Sequence, residues 1–223
     1  MPLELTSMRP GTALQNVTVF LSASIPDPNR WSGTFDPLEI TDAVTAAARA
    51  VLTESGILLT AVHPTIAPLL LYVVGEFPTQ ERPSIVVYQS HLFDETLPEA
   101  TRRFARSGAA VFRWTEAAPG ESPQADNWHG SLAELRQTML RENAPAAAIF
   151  IGGMEGIADE HLTFANNFPE RPWYALGRPG GVARELASQQ RARLRDHLLN
   201  GDVYPALFRR VVRDIAASLP LRG

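Results

Sequence analysis

The stretch Ala146-Ala-Ala-Ile-Phe-Ile-Gly-Gly-Met-Glu-Gly-Ile-Ala-Asp-Glu160 decides the fold of this chain. Its apolar run, Ala146 to Ile151, breaks off in a glycine-rich turn, Gly152 to Gly156, and a polar, helix-compatible segment follows at once. A buried strand, a tight turn and a helix in that order aim backbone N–H groups and a helix N-terminus at one point beyond the strand's carboxyl end. Unsatisfied N–H groups and the helix dipole stabilise an anion such as a phosphate there. Glycine also lets a ligand come close to the backbone. The plainer alternative is a glycine that only makes the bend.

The same alternation extends in both directions. Val17-Thr-Val-Phe-Leu-Ser-Ala23 is β-branched and apolar and reads as a strand buried on both faces. After a polar loop, Ser24 to Thr34, the run Asp36-Pro-Leu-Glu39 starts a helix, with Asp36 as cap, Pro37 at the first helical position and Glu39 where a capping-box acid belongs. Ile40, Ala43, Val44, Ala47, Ala48, Val51 and Leu52 form its apolar stripe, and Gly56 ends it. Further strands are expected at Ile57–Leu59, Ser84–Tyr88, Ala110–Arg113 and Pro172–Leu176. Helices are expected at Ile66–Glu76 with Thr65 as cap, Leu97–Arg106, Trp128–Glu142, Leu162–Phe168, Val182–Leu199 and Tyr204–Leu219. Six strands alternating with helices predict an α/β fold, Rossmann-like, with a mostly parallel sheet and helices on both faces. Met1 to Gln15 carry no clear period and read as a loosely held leader to one domain over residues 16–223.

Composition narrows the chemistry. The 223 residues carry a formal charge of −4, which argues against a general nucleic-acid binder. The chain has no cysteine, which excludes disulfides, thiolate metal sites and cysteine nucleophiles. All 20 basic residues are arginine, so Schiff-base chemistry and a phosphate-loop lysine are excluded too. The longest apolar window, Ile66 to Val74, is too short for a membrane span, and no secretory signal opens the chain. The expectation is a soluble, cytoplasmic protein.

Ligands of such a sheet bind beyond the carboxyl ends of its strands. The leading candidates there are Gly152, Gly153, Met154, Glu155 and Gly156 as a phosphate cradle, with Glu155 or Glu160 contacting a ribose or acting on a glycosidic carbon. Gly180 and Gly181 open the helix after the last strand and repeat that geometry. Ser22 and Ser24 end the first strand as donors to phosphate oxygens, Arg30 and Arg178 offer guanidinium forks, and His63 a ring for a base or ribose. Each has an ordinary structural alternative: a turn, a surface arginine or a loop histidine. The remaining histidines are dispersed, so no metal site is expected, and no cofactor is implied.

Taken together, Ile151-Gly-Gly-Met-Glu-Gly156 with Glu160, Val19-Phe-Leu-Ser-Ala-Ser24, His63-Pro-Thr-Ile66, Val86-Val-Tyr-Gln-Ser90 and Gly180-Gly181 resemble the SLOG superfamily. This Rossmann-like group includes the Lonely Guy phosphoribohydrolases and the DNA-processing protein DprA. The Lonely Guy signature Pro-Gly-Gly-x-Gly-Thr-x-x-Glu places its glutamate on Glu160, but here one extra residue precedes Gly156, Ile157 stands for the threonine and Ile151 for the proline. No position is matched to those enzymes' catalytic arginine. The pattern is closer to the SLOG sensor domains found with TIR or NAD-cleaving domains in bacterial antiviral systems. That resemblance implies binding of an NAD- or ADP-ribose-derived nucleotide in defence signalling, with the effector either a separate polypeptide or absent. The alternative it implies is a nucleoside 5′-monophosphate phosphoribohydrolase with Glu160 as catalytic carboxylate. A further expectation is a homo-oligomer with the last helix as its seam, through Leu207 and Val211.

Overall fold

The computed structural model describes residues 12–77, 85–125, 128–190 and 194–220. Six parallel strands form one sheet: β1 Thr18–Ser24, β2 Ile57–Thr60, β3 Ile85–Ser90, β4 Val111–Thr115, β5 Ala147–Gly152 and β6 Trp173–Ala175. The helices are α1 Pro37–Thr53, α2 Ala67–Val74, α3 Glu99–Arg106, α4 His129–Asn143, α5 Glu155–Asn167, α6 Val182–Gln189, α7 Arg195–Asn200 and α8 Tyr204–Ser218. The α/β, Rossmann-like reading is borne out.

Strand order is β4-β3-β2-β1-β5-β6. The chain walks outward from β1 to β4, and α4 then carries it back so that β5 lies beside β1. That reversal opens a crevice beyond the carboxyl ends of β1 and β5, where sheets of this kind bind ligands. Side chains alternate along each strand. Val19, Leu21 and Ala23 with Ala147, Ile149 and Ile151 meet α1, α2, α3, α7 and α8 on one face. Phe20 with Ala148 and Phe150 meets α4, α5 and α6 on the other. Both faces are covered, which explains why β1 and β5 read as predominantly apolar runs.

Several local expectations are corrected. Asp36 caps α1 by accepting from the N–H groups of Leu38 and Glu39, but the capping box is open. Glu39 turns instead to Arg178 and Tyr204, and the Asp36 N–H donates to the Pro179 carbonyl. Thr65 does not cap α2; its hydroxyl oxygen accepts from the Ile25 N–H. The helix expected from Leu162 starts at Glu155, inside the glycine run. The long helix expected over Val182–Leu199 leaves helical geometry at Gln190. The buried Gln190 amide accepts from the Ala175 N–H at 3.0 Å and donates to its carbonyl at 2.9 Å, standing in for a neighbouring strand on β6.

Most of the expected leader, and Ser84 of the third strand, lie outside the described residues. Leu14, at the leader's end, is fully buried. The seam expected on α8 is corrected as well. Leu207, Phe208, Val211, Val212 and Ile215 are buried in this chain's own core, where α8 packs on α1. No helix among the described residues is long and apolar enough to cross a membrane.

Candidate functional site

Three loops meet at the crevice, and backbone stitches them together. The Gly153 N–H donates to the Ser24 carbonyl at 2.8 Å, Val182 N–H to Gly153 at 2.9 Å, and Gly181 N–H to Thr34 at 3.0 Å. Gly152, Gly153, Gly180 and Gly181 all have positive φ. A Cβ on Gly152 would stand 2.6 Å from the Ser24 carbonyl oxygen, and one on Gly153 would run into Ile157. On Gly180 it would meet the Thr34 oxygen at 2.3 Å, and on Gly181 the Gly152 carbonyl carbon at 2.5 Å. Ser24 contributes its carbonyl to this junction. Gly152, Gly180 and Gly181 therefore let backbone lie on backbone, Gly153 makes room for the Ile157 side chain, and the Gly153 amide faces protein.

What opens outward lies one step further on. Among the described residues the N–H groups of Met154, Glu155 and Gly156 have no backbone acceptor, as befits the first turn of α5. Gly156 is half-exposed, and a Cβ there would stand 3.3 Å from Nη2 of Arg136. The Arg136 guanidinium thus stands against the amino end of α5. Three amides without a backbone acceptor, the positive end of the α5 dipole and one arginine thus lie together at the strand-order reversal, an arrangement whose chemistry suits an anion.

Beneath it is a buried polar cluster. Ser22 projects from β1 onto the α4–α6 face, and its hydroxyl donates to Oε2 of Glu160 at 2.5 Å. Arg136 reaches from α4, with Nε 3.7 Å from Glu160 Oε1 and Nη1 3.2 Å from Asp159 Oδ2. Side-chain exposure is 12% for Arg136 and 14% for Glu160. The Arg136 Nε is buried without a hydrogen-bond partner among the described residues. Burial pushes the Glu160 carboxyl above its ordinary value, and the Arg136 charge and the Ser22 hydroxyl draw it partway back.

A pH dependence follows. A carboxyl raised in the folded state gives stability that is full below its unfolded value and lost as pH rises through the folded one. Relative to Glu160→Gln, the wild type should therefore gain stability as pH falls from neutrality, by up to about 1.4 kcal/mol per unit within that window. Urea unfolding of both proteins at pH 7 and pH 5 measures it; a flat or reversed difference refutes it.

The other sequence candidates scatter. His63 is exposed, its Nδ1 engaged by the Thr65 hydroxyl at 2.9 Å and near the Thr65 N–H at 3.3 Å. It stands at the carboxyl end of β2, joined to β1 through Thr65 and Ile25. Arg30 is exposed on the β1–α1 loop, where its backbone N–H donates to the Asp27 carbonyl. Arg178 is paired with Glu39 at 2.9 Å and lies 3.7 Å from Asp202. Among the described residues no three His, Asp or Glu side chains gather as a metal-holding group.

Arg136 is the site residue that sequence reasoning missed. One signal was available: it follows Leu132 by four positions, which sets it along the partly buried edge of α4. The description of the SLOG cluster3 family matches residues 30–212 of the chain. No curated protein matches it.

Proposed function

Because this chain belongs to the SLOG cluster3 family, whose match covers residues 30–212, we propose that it senses an NAD- or ADP-ribose-derived nucleotide and passes that signal to a separate effector in bacterial defence. Family membership supports a nucleotide-related function. The observation that carries the reading further is the first turn of α5. Its three unpaired amides, with Arg136 beside them, suit a ligand phosphate at the β1/β5 reversal. The ribose and base then extend along the strand ends, toward His63 and the β1–α1 loop.

A phosphoribohydrolase is the second reading, favoured by the buried Glu160 held between Ser22 and Arg136. Both carboxylate oxygens face protein partners. That suits a strut joining β1, α4 and α5 better than a base that activates water.

Calorimetry with NAD, ADP-ribose, its cyclic isomers and AMP tests the binder. At least one diphosphate ligand should bind, and Arg136→Ala should weaken it roughly 10-fold or more, the worth of a charge-assisted hydrogen bond. Silence across the panel rejects the sensor. Release of free base from AMP, abolished by Glu160→Gln, would put the hydrolase in its place.

A further inference from the structure

On the far side of the glycine junction lies a second cleft, of about 320 Å3, between the amino ends of α1 and α6. Phe35 forms part of its wall, and four charged side chains line it: Asp36, Glu39, Arg178 and Arg184. It is separated from the first turn of α5 by the backbone of Gly152, Gly153 and Gly181, which pack against one another without side chains.

The polar groups of this cleft are unequally occupied. Asp36 Oδ1 already accepts from two amides of α1, at 2.8 and 3.1 Å. Glu39 accepts from Arg178 Nε at 2.9 and 3.1 Å and from the Tyr204 hydroxyl at 2.8 Å. Both acids are thereby largely saturated. The Glu39 contacts hold Arg178 in place, while its Nη1 stays 3.7 Å from Asp202, beyond hydrogen-bond reach. Arg184 is exposed and has no side-chain partner among the described residues. Counted by donors, the cleft offers the whole Arg184 fork and the outer nitrogens of Arg178, against one spare carboxylate oxygen on Asp36 and the Asp202 carboxylate 3.7 Å from Arg178 Nη1. A ligand that matches it is anionic and forked at one end, with a hydroxyl donor nearby.

We propose that this cleft binds a phosphorylated sugar, its phosphate on Arg184 and Arg178 and a ring hydroxyl donating to Asp36. The site is independent of the α5 site, so it stands or falls apart from the nucleotide-sensing reading. The same chemistry is presented by a free pentose phosphate and by the phosphoribosyl end of a nucleotide.

Ribose 5-phosphate, titrated calorimetrically into the full chain, is the probe. Binding should survive Arg136→Ala, which disables the α5 site, and should weaken roughly 10-fold or more in Arg184→Gln. The exposed Arg184 side chain has no hydrogen-bond or ion-pair partner among the described residues, and an unchanged melting temperature confirms that its variant is folded. Absence of ribose 5-phosphate binding to the wild type overturns the proposal, and so does an Arg184→Gln variant that binds like wild type. Loss of binding in Arg136→Ala overturns it equally, by placing the phosphate at α5. Once binding is established, displacement of ribose 5-phosphate by ADP-ribose in the Arg136→Ala background identifies a nucleotide end as the ligand. Failure to displace identifies a free sugar phosphate.

Discussion

Gly181→Ala should lower the unfolding free energy by about 3–5 kcal/mol, whereas Gly108→Ala should lower it by only about 1 kcal/mol. Both glycines have positive φ, +67° at Gly181 and +72° at Gly108. At Gly181 the accompanying ψ is −169°, a region that only glycine occupies without strain. Surroundings then separate the two. A Cβ on Gly108 meets nothing within 4 Å, so only the backbone preference is lost. A Cβ on Gly181 lands 2.5 Å from the Gly152 carbonyl carbon and 2.7 Å from the Gly152 and Gly153 oxygens. Backbone cannot step aside as a flexible side chain does. Relief would break the Val182–Gly153 and Gly181–Thr34 hydrogen bonds, and with them the alignment of α5 beside β1. Urea unfolding of the two variants gives the comparison. Equal losses would mean that the junction yields easily and that the glycines there are not structural.

That junction also explains what a sequence of this kind discloses. The runs at Val19–Ala23 and Ala147–Ile151 are legible because both faces of their strands are covered, so the buried Ser22 is the one polar residue within them. Asp36-Pro37 is legible because a helix start is decided within four residues. The glycines show only that side chains are missing. They do not say whether ligand or protein fills the space, and at Gly152, Gly153, Gly180 and Gly181 protein fills it. The early start of α5 escapes notice because Gly156 reads as a turn, though it sits in the first helical turn, where ends already fray. Arg136 is hidden for a different reason. Its meeting with Glu160 depends on α4 crossing back from β4 to β5, and strand order cannot be taken from hydrophobic period. Gln190 is similar: a lone polar residue in a helical pattern gives no hint that it will complete the edge of β6.

Val211→Asp should abolish folding rather than change the oligomeric state. Val211 is fully buried, and its neighbours on the α8 stripe, Leu207 and Phe208, lie in the same cluster as Ile40, Val44 and Val51 of α1. A carboxylate placed there loses its hydration and gains no partner, at a cost of about 4 kcal/mol or more, which is a large share of the stability of a domain this size. Val203→Asp, at the head of the same helix, is the matching control. Val203 is 62% exposed and occupies the N-cap of α8, which lacks a side-chain hydrogen bond. An aspartate there can accept from the first-turn amides, and the nearby Asp202 opposes part of that gain, so the net change should stay within about 0.5 kcal/mol. Circular dichroism and size-exclusion chromatography separate the outcomes. A folded Val211→Asp protein with an altered mass would restore α8 as an interface between copies. Loss of the folded signal, with Val203→Asp unchanged, fixes α8 as the outer wall of this chain's own core, and any pairing of copies must then use another face.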